Sequence, residues 1–495
     1  PPNAAPASRP DSARGAAAAT LTVRPGDWVV RLDQPYTALP RTVLAVQRYR
    51  ADDPPPYDDT GWSLDQMRHL TVHTVADSSV LARPMRRLAA DARVAGTVAG
   101  AGGTLAVPPL GDWRSASLPW ALGAGARLTV ADTAFAAGGA TFPAGTALVP
   151  NTPAARAAVE RLGLAATALD AAPSVRAHAV TPPRIAFIHT WIETQNEGWL
   201  RHALEEIGVP FTYASTQRLR DPRFLDRFDV VLFPHVSAAP AQVVNGRPMV
   251  GPAIPWRGSK LTPSLAGSPD STDDIRPGLG FEGLANLRRF VERGGLLVTE
   301  GNSARLPVEM GFNPTVSVQA TPRLVARGGI YRAQAQEPAH PVLYGYERRT
   351  FPVYFNQAPL FAVQGVGDAA AEARTRAVAT NVVDTAIQRA AEDQRARVVL
   401  RFHPAADSLL VSGQLQNGDE LAGRAAVVDA PVGRGHVLLF GIRPMWRYES
   451  QGTYAMVLNA MAHWNAFDVN RRAPAAVAGR AGPAATTPGG EQEQH

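Results

Sequence analysis

The stretch Arg184 to Tyr213, RIAFIHTWIETQNEGWLRHALEEIGVPFTY, constrains the fold more than any other part of the chain. An apolar run, a polar connection and then apolar residues at helical spacing read as a buried strand, a loop and an amphipathic helix. A helix that must fold back over the strand it follows predicts an open α/β domain. Gly433 to Trp464, GRGHVLLFGIRPMWRYESQGTYAMVLNAMAHW, gives the same succession. FDVVLFP (Phe228 to Pro234) and LLVTEG (Leu296 to Gly301) read as further strands, and FEGLANLRRFVERGG as a helix stopped by a glycine pair. Their continuous apolar character predicts a parallel sheet covered on both faces, and the β-α-β-α-β order predicts right-handed crossovers.

A chain of 495 residues is too long for one typical domain, and two to four units are expected. Residues 1–20 read as a flexible linker and 471–495 as a disordered tail, because Pro, Ala, Gly and polar residues bury too little apolar surface to offset ordering entropy. Residues 21–175 read as a β-rich α+β domain with β-type runs LTVRPGDWVVRL, HLTVHTV, ARLTVAD and TALVP, and a helix from Thr152-Pro153 to Gly163. Residues 182–467 read as the α/β domain, carrying a β-rich insertion at about 320–430 with one helix around Thr385 to Arg395. A Pro/Gly/Ser segment at 236–280 interrupts the α/β order, and a loop of that length is either functional or mobile.

With no cysteine, the chain has no disulfide, thiolate metal site or cysteine nucleophile. The net charge is +6, and the arginines are scattered among 43 carboxylates, so no clustered basic face for nucleic acid is expected. No apolar run reaches the roughly 18 residues of a membrane span.

Four motifs invite a chemical reading. His202-Ala-Leu-Glu205 matches the H-x-x-E zinc element, with His340 at an acceptable separation for a third ligand. Yet Trp199, Leu200, Ala203, Leu204 and Ile207 form the apolar stripe of that helix, which puts His202 and Glu205 on its solvent face. Gly301-Asn302-Ser303-Ala304-Arg305 follows a strand but lacks the second glycine of a nucleophile elbow, and reads as a turn or helix cap. GRGHVLLFG runs into a strand rather than a helix, so it reads as a β-turn and not a dinucleotide loop. Asp52, Asp53, Asp58 and Asp59 crowd DDPPPYDD without calcium-loop spacing and read as a rigid surface loop. The remaining histidines, among them His69, His73, His178, His189, His235, His403, His436 and His463, show no metal-ligand spacing.

A run of local signatures resembles one family. VVRLDQPY, YDDTGWSL, NEGWLRHALEEIGVPF, FDVVLFP, FVERGGLLVTEGNSA and GRGHVLLFGIRPMWR…GTYAMVLNA resemble, in order, the region after the catalytic domain in large bacterial zinc carboxypeptidases of the carboxypeptidase A type. The resemblance spans residues 21–467. It implies a class I glutamine amidotransferase-like (flavodoxin-like) layered sandwich with a mostly parallel sheet, and a non-catalytic C-terminal accessory region of a secreted or periplasmic peptidase. The partners it implies are an N-terminal peptidase domain outside this chain, which would hold the zinc, and a peptide substrate. It implies no metal or cofactor in this chain. H-x-x-E falls inside the amidotransferase-like block, so no residue is nominated as catalytic, cofactor-binding or metal-binding, and His202, Glu205 and His340 are not assigned as zinc ligands. Such amidotransferases use a cysteine at a strand-to-helix elbow, a role that Ser303 or Asn302 would have to take here. Two alternatives stand beside this reading. One is an independent hydrolase or transferase using Ser303 or a cleft at the C-terminal edge of the sheet. The other is a glycan or peptide binding module presenting Trp191, Trp256, Trp446 and Tyr448.

Overall fold

A computed structural model describes residues 21–470, apart from 51, 55, 124 and 365–393. The chain divides into two units at Leu44/Ala45. In the first unit, the expected β-run over 21–32 is not a strand. Pro25-Gly26 turns the backbone, with Gly26 at φ +99° and the Asp27 N–H donating to Arg24 O at 3.1 Å. The unit's helix covers Ala38–Val43.

The second unit contains two large sheets. HLTVHTV (69–75) forms no strand, and Leu70, Val72 and Val75 remain exposed. Alternation alone does not make a strand where no partner lies alongside. The region before the α/β strands holds β1 (Thr97–Ala99), β2 (Thr104–Val107), β3 (Thr129–Ala131), β4 (Phe135–Ala137), β5 (Ala140–Phe142), β6 (Ala147–Pro150), β7 (Ala165–Leu169) and β8 (Ala177–Ala179). Of these, β4 and β5 form a separate two-stranded sheet, while the other six form the first large sheet in the order β1-β7-β2-β6-β3-β8. The helix Pro153–Arg161 packs Ala155, Ala158 and Val159 into this sheet's core. Thr152 caps it, its Oγ1 accepting the Ala155 N–H at 3.2 Å.

The second sheet comprises β9 (Ile185–His189), β10 (Thr212–Ser215), β11 (Val230–Phe233), β12 (Leu296–Glu300), β13 (Val316–Gln319), β14 (Gly329–Ala335), β15 (Thr350–Phe355), β16 (Leu360–Val363), β17 (Arg397–Phe402), β18 (Leu410–Ser412), β19 (Ala425–Val432) and β20 (Gly435–Phe440). Strands β10-β9-β11-β12-β20 are parallel neighbours. Alternate residues serve opposite faces. Phe187, Leu232, Val298 and Leu438 join the core under the helices Gln195–Ile207 and Tyr454–Ala462, while Ile188, Val231, Leu297 and Leu439 join the core under Gly280–Glu292. Each such fully buried side chain contributes roughly 1.5–3 kcal/mol. The helix Gln195–Ile207 stops at Gly208, whose left-handed backbone (φ +82°) lets its N–H reach Leu204 O at 3.0 Å.

The sheet is mixed rather than mostly parallel. A tight Gly433-Arg434 turn, with Gly433 at φ +62°, returns β19 antiparallel to β20. From there β17, β14 and β15 add antiparallel strands to the same sheet. The residues read as a β-rich insertion therefore extend the α/β sheet. Of the helix expected around 385–395, residues 385–393 lie outside the described residues. The 236–280 segment folds back on itself through the helix Pro240–Asn245 and the bridges Trp256↔Thr272 and Gly246↔Pro277.

Candidate functional site

The five parallel strands end at one edge, and polar side chains begin where the apolar runs stop. His189 closes β9, His235 follows β11, Glu300 closes β12 and Arg443 follows β20. Hydrogen bonds tie these strand ends together. The Glu193 carboxylate accepts the Ser237 N–H at 2.7 Å. Asn302 Nδ2 donates to Ala238 O at 2.9 Å, and the Asn302 N–H donates to His235 Nδ1 at 2.9 Å. His235 Nε2 lies 3.0 Å from Arg443 Nη2.

The loop carrying Arg443 is held in an unusual shape. Arg447 and Tyr448 are consecutive left-handed residues, at φ +46° and +58°. Such backbone costs of order 1 kcal/mol or more per residue and persists only where its surroundings enforce it. Here Asp58 and Asp59 do so. Arg447 pairs with Asp58 at 2.8 Å and with Asp59 at 3.0 Å, and Trp446 Nε1 donates to Asp59 at 2.7 Å. The Tyr354 hydroxyl also donates to Asp59, and the Trp446 ring stacks on Tyr354 at 5.4 Å. The Arg443 guanidinium lies 4.5 Å above the Trp446 ring, a cation–π placement. Asp58 and Asp59 are thus committed to Arg447 and do not form a cation site.

Proton positions at His235 and Arg443 follow from these partners. Burial, with the charge of Arg443 adding to it, holds the His235 imidazole neutral down to about 3. Because Nδ1 accepts from Asn302, the one ring proton sits on Nε2. Two donors therefore face each other, with no acceptor between them. Arg443 Nε and the Tyr454 hydroxyl are also buried without a hydrogen-bond partner. Arg443 is 7% exposed, Tyr454 1% and His235 8%. Burial pushes the Glu300 carboxyl up to about 8 against the pull of Arg443, so this neighbour is neutral at pH 7. Glu449 rises to about 7 through burial, reinforced by the negative charge of Asp59.

At the same edge the turn after β12 commits its polar side chains to its own backbone and to the loop after β11. The strand-to-helix turn after β12 places Gly301, at φ +56°, where an elbow nucleophile would stand. A Cβ there would sit 2.5 Å from His235 Nδ1. Ser303 Oγ lies 2.8 Å from both the Phe233 and Glu300 carbonyls and accepts the Glu300 N–H at 3.1 Å, so it serves the turn. Asn302 is equally committed to the loop after β11. Further along the edge, His189 Nε2 is 3.0 Å from Asp270 Oδ2, under the stacked ring of Tyr213 at 4.3 Å. Burial opposes the Asp270 charge, but hydrogen bonds from His189, Ser271 and Ser215 hold it well below the usual carboxylate range.

The residues singled out by motif do not come together. His202 and Glu205 are exposed, His202 beside the Tyr448 ring at 5.2 Å and Glu205 paired with Arg201 at 2.8 Å. His340 is buried elsewhere, its Nε2 3.3 Å from Asp429. This donor set does not fit zinc. Among the described residues no group of three or more His, Cys, Asp or Glu is arranged to hold a metal ion. Nor is any helix of those residues long and apolar enough to cross a membrane. The four aromatics named as a binding platform divide. Trp446 is buried on Tyr354, Trp191 and Trp256 adjoin at 6.0 Å, and Tyr448 packs on Tyr454. The polar cluster that the motifs missed is His235, Glu300 and Arg443. Its one sequence signal is polar residues placed at or just beyond the ends of apolar strands.

No protein-family model matches this chain, and no curated protein matches it. Among solved structures, a cytoplasmic protein from Salmonella typhimurium is similar at 14% identity over 56% of this chain and 97% of its own, with a TM-score of 0.30. A protein described as ThuA-like from Bacteroides uniformis is similar at 9% identity over 59% of this chain and 95% of its own, with a TM-score of 0.32. One described as a GMP synthase protein from Thermoplasma acidophilum is similar at 8% identity over 56% of this chain and 94% of its own, with a TM-score of 0.30. At these scores the likenesses carry no argument about chemistry.

Proposed function

We propose that this chain is a non-catalytic accessory region of a zinc carboxypeptidase-like protein, built on an amidotransferase-like (flavodoxin-like) α/β unit. Proteolysis then belongs to a zinc peptidase domain outside these residues, in a secreted or periplasmic protein. The chain's own part is to pack against that domain or present its peptide substrate. The parallel order β10-β9-β11-β12-β20, second-first-third-fourth-fifth along the chain, supports the fold, because flavodoxin-like sheets have this order. The ordered sequence blocks over 21–467 support the parent family.

One observation carries the non-catalytic part: the elbow position is Gly301, with His235 occupying the space a nucleophile's Cβ would need. A fold of this kind without its nucleophile keeps the architecture and loses the acyl-transfer chemistry. The test of partnership is sedimentation of the chain with a separately expressed peptidase domain of the resembled family. Co-sedimentation, with altered turnover of peptide substrates, is the expected result. Two independent species and unchanged turnover would contradict it.

A further inference from the structure

We propose that His235 Nε2–H and the Nε–Nη2 edge of Arg443 form a binding site for a single carboxylate group. Two physical facts lead there. A buried donor without an acceptor costs about 1–3 kcal/mol, and the Arg443 Nε is one. Arginine remains charged at any accessible pH, yet among the described residues Arg443 has no ion-pair partner, its polar contact being His235. An anion accepting from both groups would remove the conflict between the two facing N–H groups.

The geometry selects among anions. Nε–H and the second Nη2 hydrogen of a guanidinium form a planar fork that matches the two oxygens of a carboxylate. One fixed positive charge balances one negative charge. His235 is neutral here and Glu300 is uncharged at pH 7, so a phosphate dianion would bring an unbalanced charge into a buried place. Position agrees as well, since ligands of open α/β sheets bind beyond the carboxyl ends of the strands. The left-handed pair Arg447-Tyr448, tied to Asp58 and Asp59, shapes the loop that carries Arg443. The site stands whether or not the chain partners a peptidase.

Isothermal titration calorimetry on the whole chain tests this with sodium acetate, N-acetyl-alanyl-phenylalanine, the amide of that peptide, and sodium sulfate. Acetate or the peptide acid is expected to bind, and the amide is not. Tighter binding of the peptide acid than of acetate assigns the site to a peptide C-terminus, and equal binding assigns it to a small free carboxylate. Arg443→Lys keeps the charge but loses the fork, and is expected to weaken carboxylate binding about tenfold. The proposal is overturned if neither carboxylate binds the folded chain at millimolar concentrations, if the amide binds as well as the acid, or if sulfate binds as tightly as acetate. Full affinity in a folded Arg443→Lys chain overturns it too. The acid-against-amide comparison on the natural chain decides the matter should that variant not fold.

Discussion

Arg443 Nη2 lies 3.0 Å from His235 Nε2, and both atoms carry hydrogen. The pair joins the loops after β11 and β20 across the end of the sheet, and the other ring nitrogen of His235 reaches the turn after β12. One imidazole thereby meets three strand ends, bonded to the turn after β12 and facing a second donor on the loop after β20.

The space beside that imidazole is why residue 301 is glycine. Gly301→Ala brings a Cβ within 2.5 Å of His235 Nδ1 and imposes a side chain on φ +56°. A loss of about 2–4 kcal/mol in urea unfolding is expected. A change within the scatter of ordinary surface substitutions would show that the turn relaxes without cost.

Asp59 accepts from Trp446, Tyr354 and Arg447 at once. Asp59→Ala leaves the Trp446 and Tyr354 donors without an acceptor and Arg447 with Asp58 alone, and a loss of about 3 kcal/mol is expected, with altered tryptophan emission. Asp52→Ala, by comparison, is expected to fall within about 0.5 kcal/mol of the natural chain. Equal effects from the two substitutions would refute the role given to Asp59.

The His436 imidazole titrates at about 9. Burial opposes its charge, but the charge of Asp429, with hydrogen bonds to Asp429 and Asp468, outweighs burial. Because the folded value lies above the unfolded one, this stabilisation is complete below about 6.5 and is lost as pH rises through about 9. It amounts to at most about 3 kcal/mol. Stability profiles against pH should fall over that window, and His436→Gln should flatten it. A profile that keeps its slope in the variant would assign the proton elsewhere.

Glu300 behaves in the same direction over a lower window. Burial raises it from 4.5 to about 8, so folding favours its neutral form. The associated stability is present below about 4.5 and is lost as pH rises through about 8. Glu300→Gln keeps the shape and removes the proton, and is expected to exceed the natural chain in stability above pH 8 by on the order of 3 kcal/mol. Equal stabilities at high pH would mean that the carboxylate is solvated in place.

The strands IAFIH, FDVVLFP, LLVTEG and HVLLFGI were legible because burial on both faces leaves an unbroken apolar run. The runs over 21–32 and 69–75 are instead broken or alternating, they form no strand, and a single chain segment does not announce its partner. Register explains the rest of the fold: the Gly433-Arg434 turn is visible in the sequence, but not that it hands a parallel sheet over to antiparallel strands. The exposure of His202 and Glu205 followed from helical spacing alone. Nothing in spacing brings His235 to Arg443 or His340 to Asp429, because these contacts join segments 208 and 89 residues apart, whereas His436 meets Asp429 across the Gly433-Arg434 hairpin, seven residues away. The direction of a proton on His235 depends on a backbone N–H from Asn302, which sequence pattern does not encode.

The most direct test of a non-catalytic chain is to purify it, load it with zinc, and measure bound metal by mass spectrometry together with release of C-terminal residues from blocked dipeptides. Substoichiometric zinc and no turnover are the expected result. Stoichiometric zinc with turnover, both lost in His202→Ala, would place a catalytic centre within these residues and contradict the central claim.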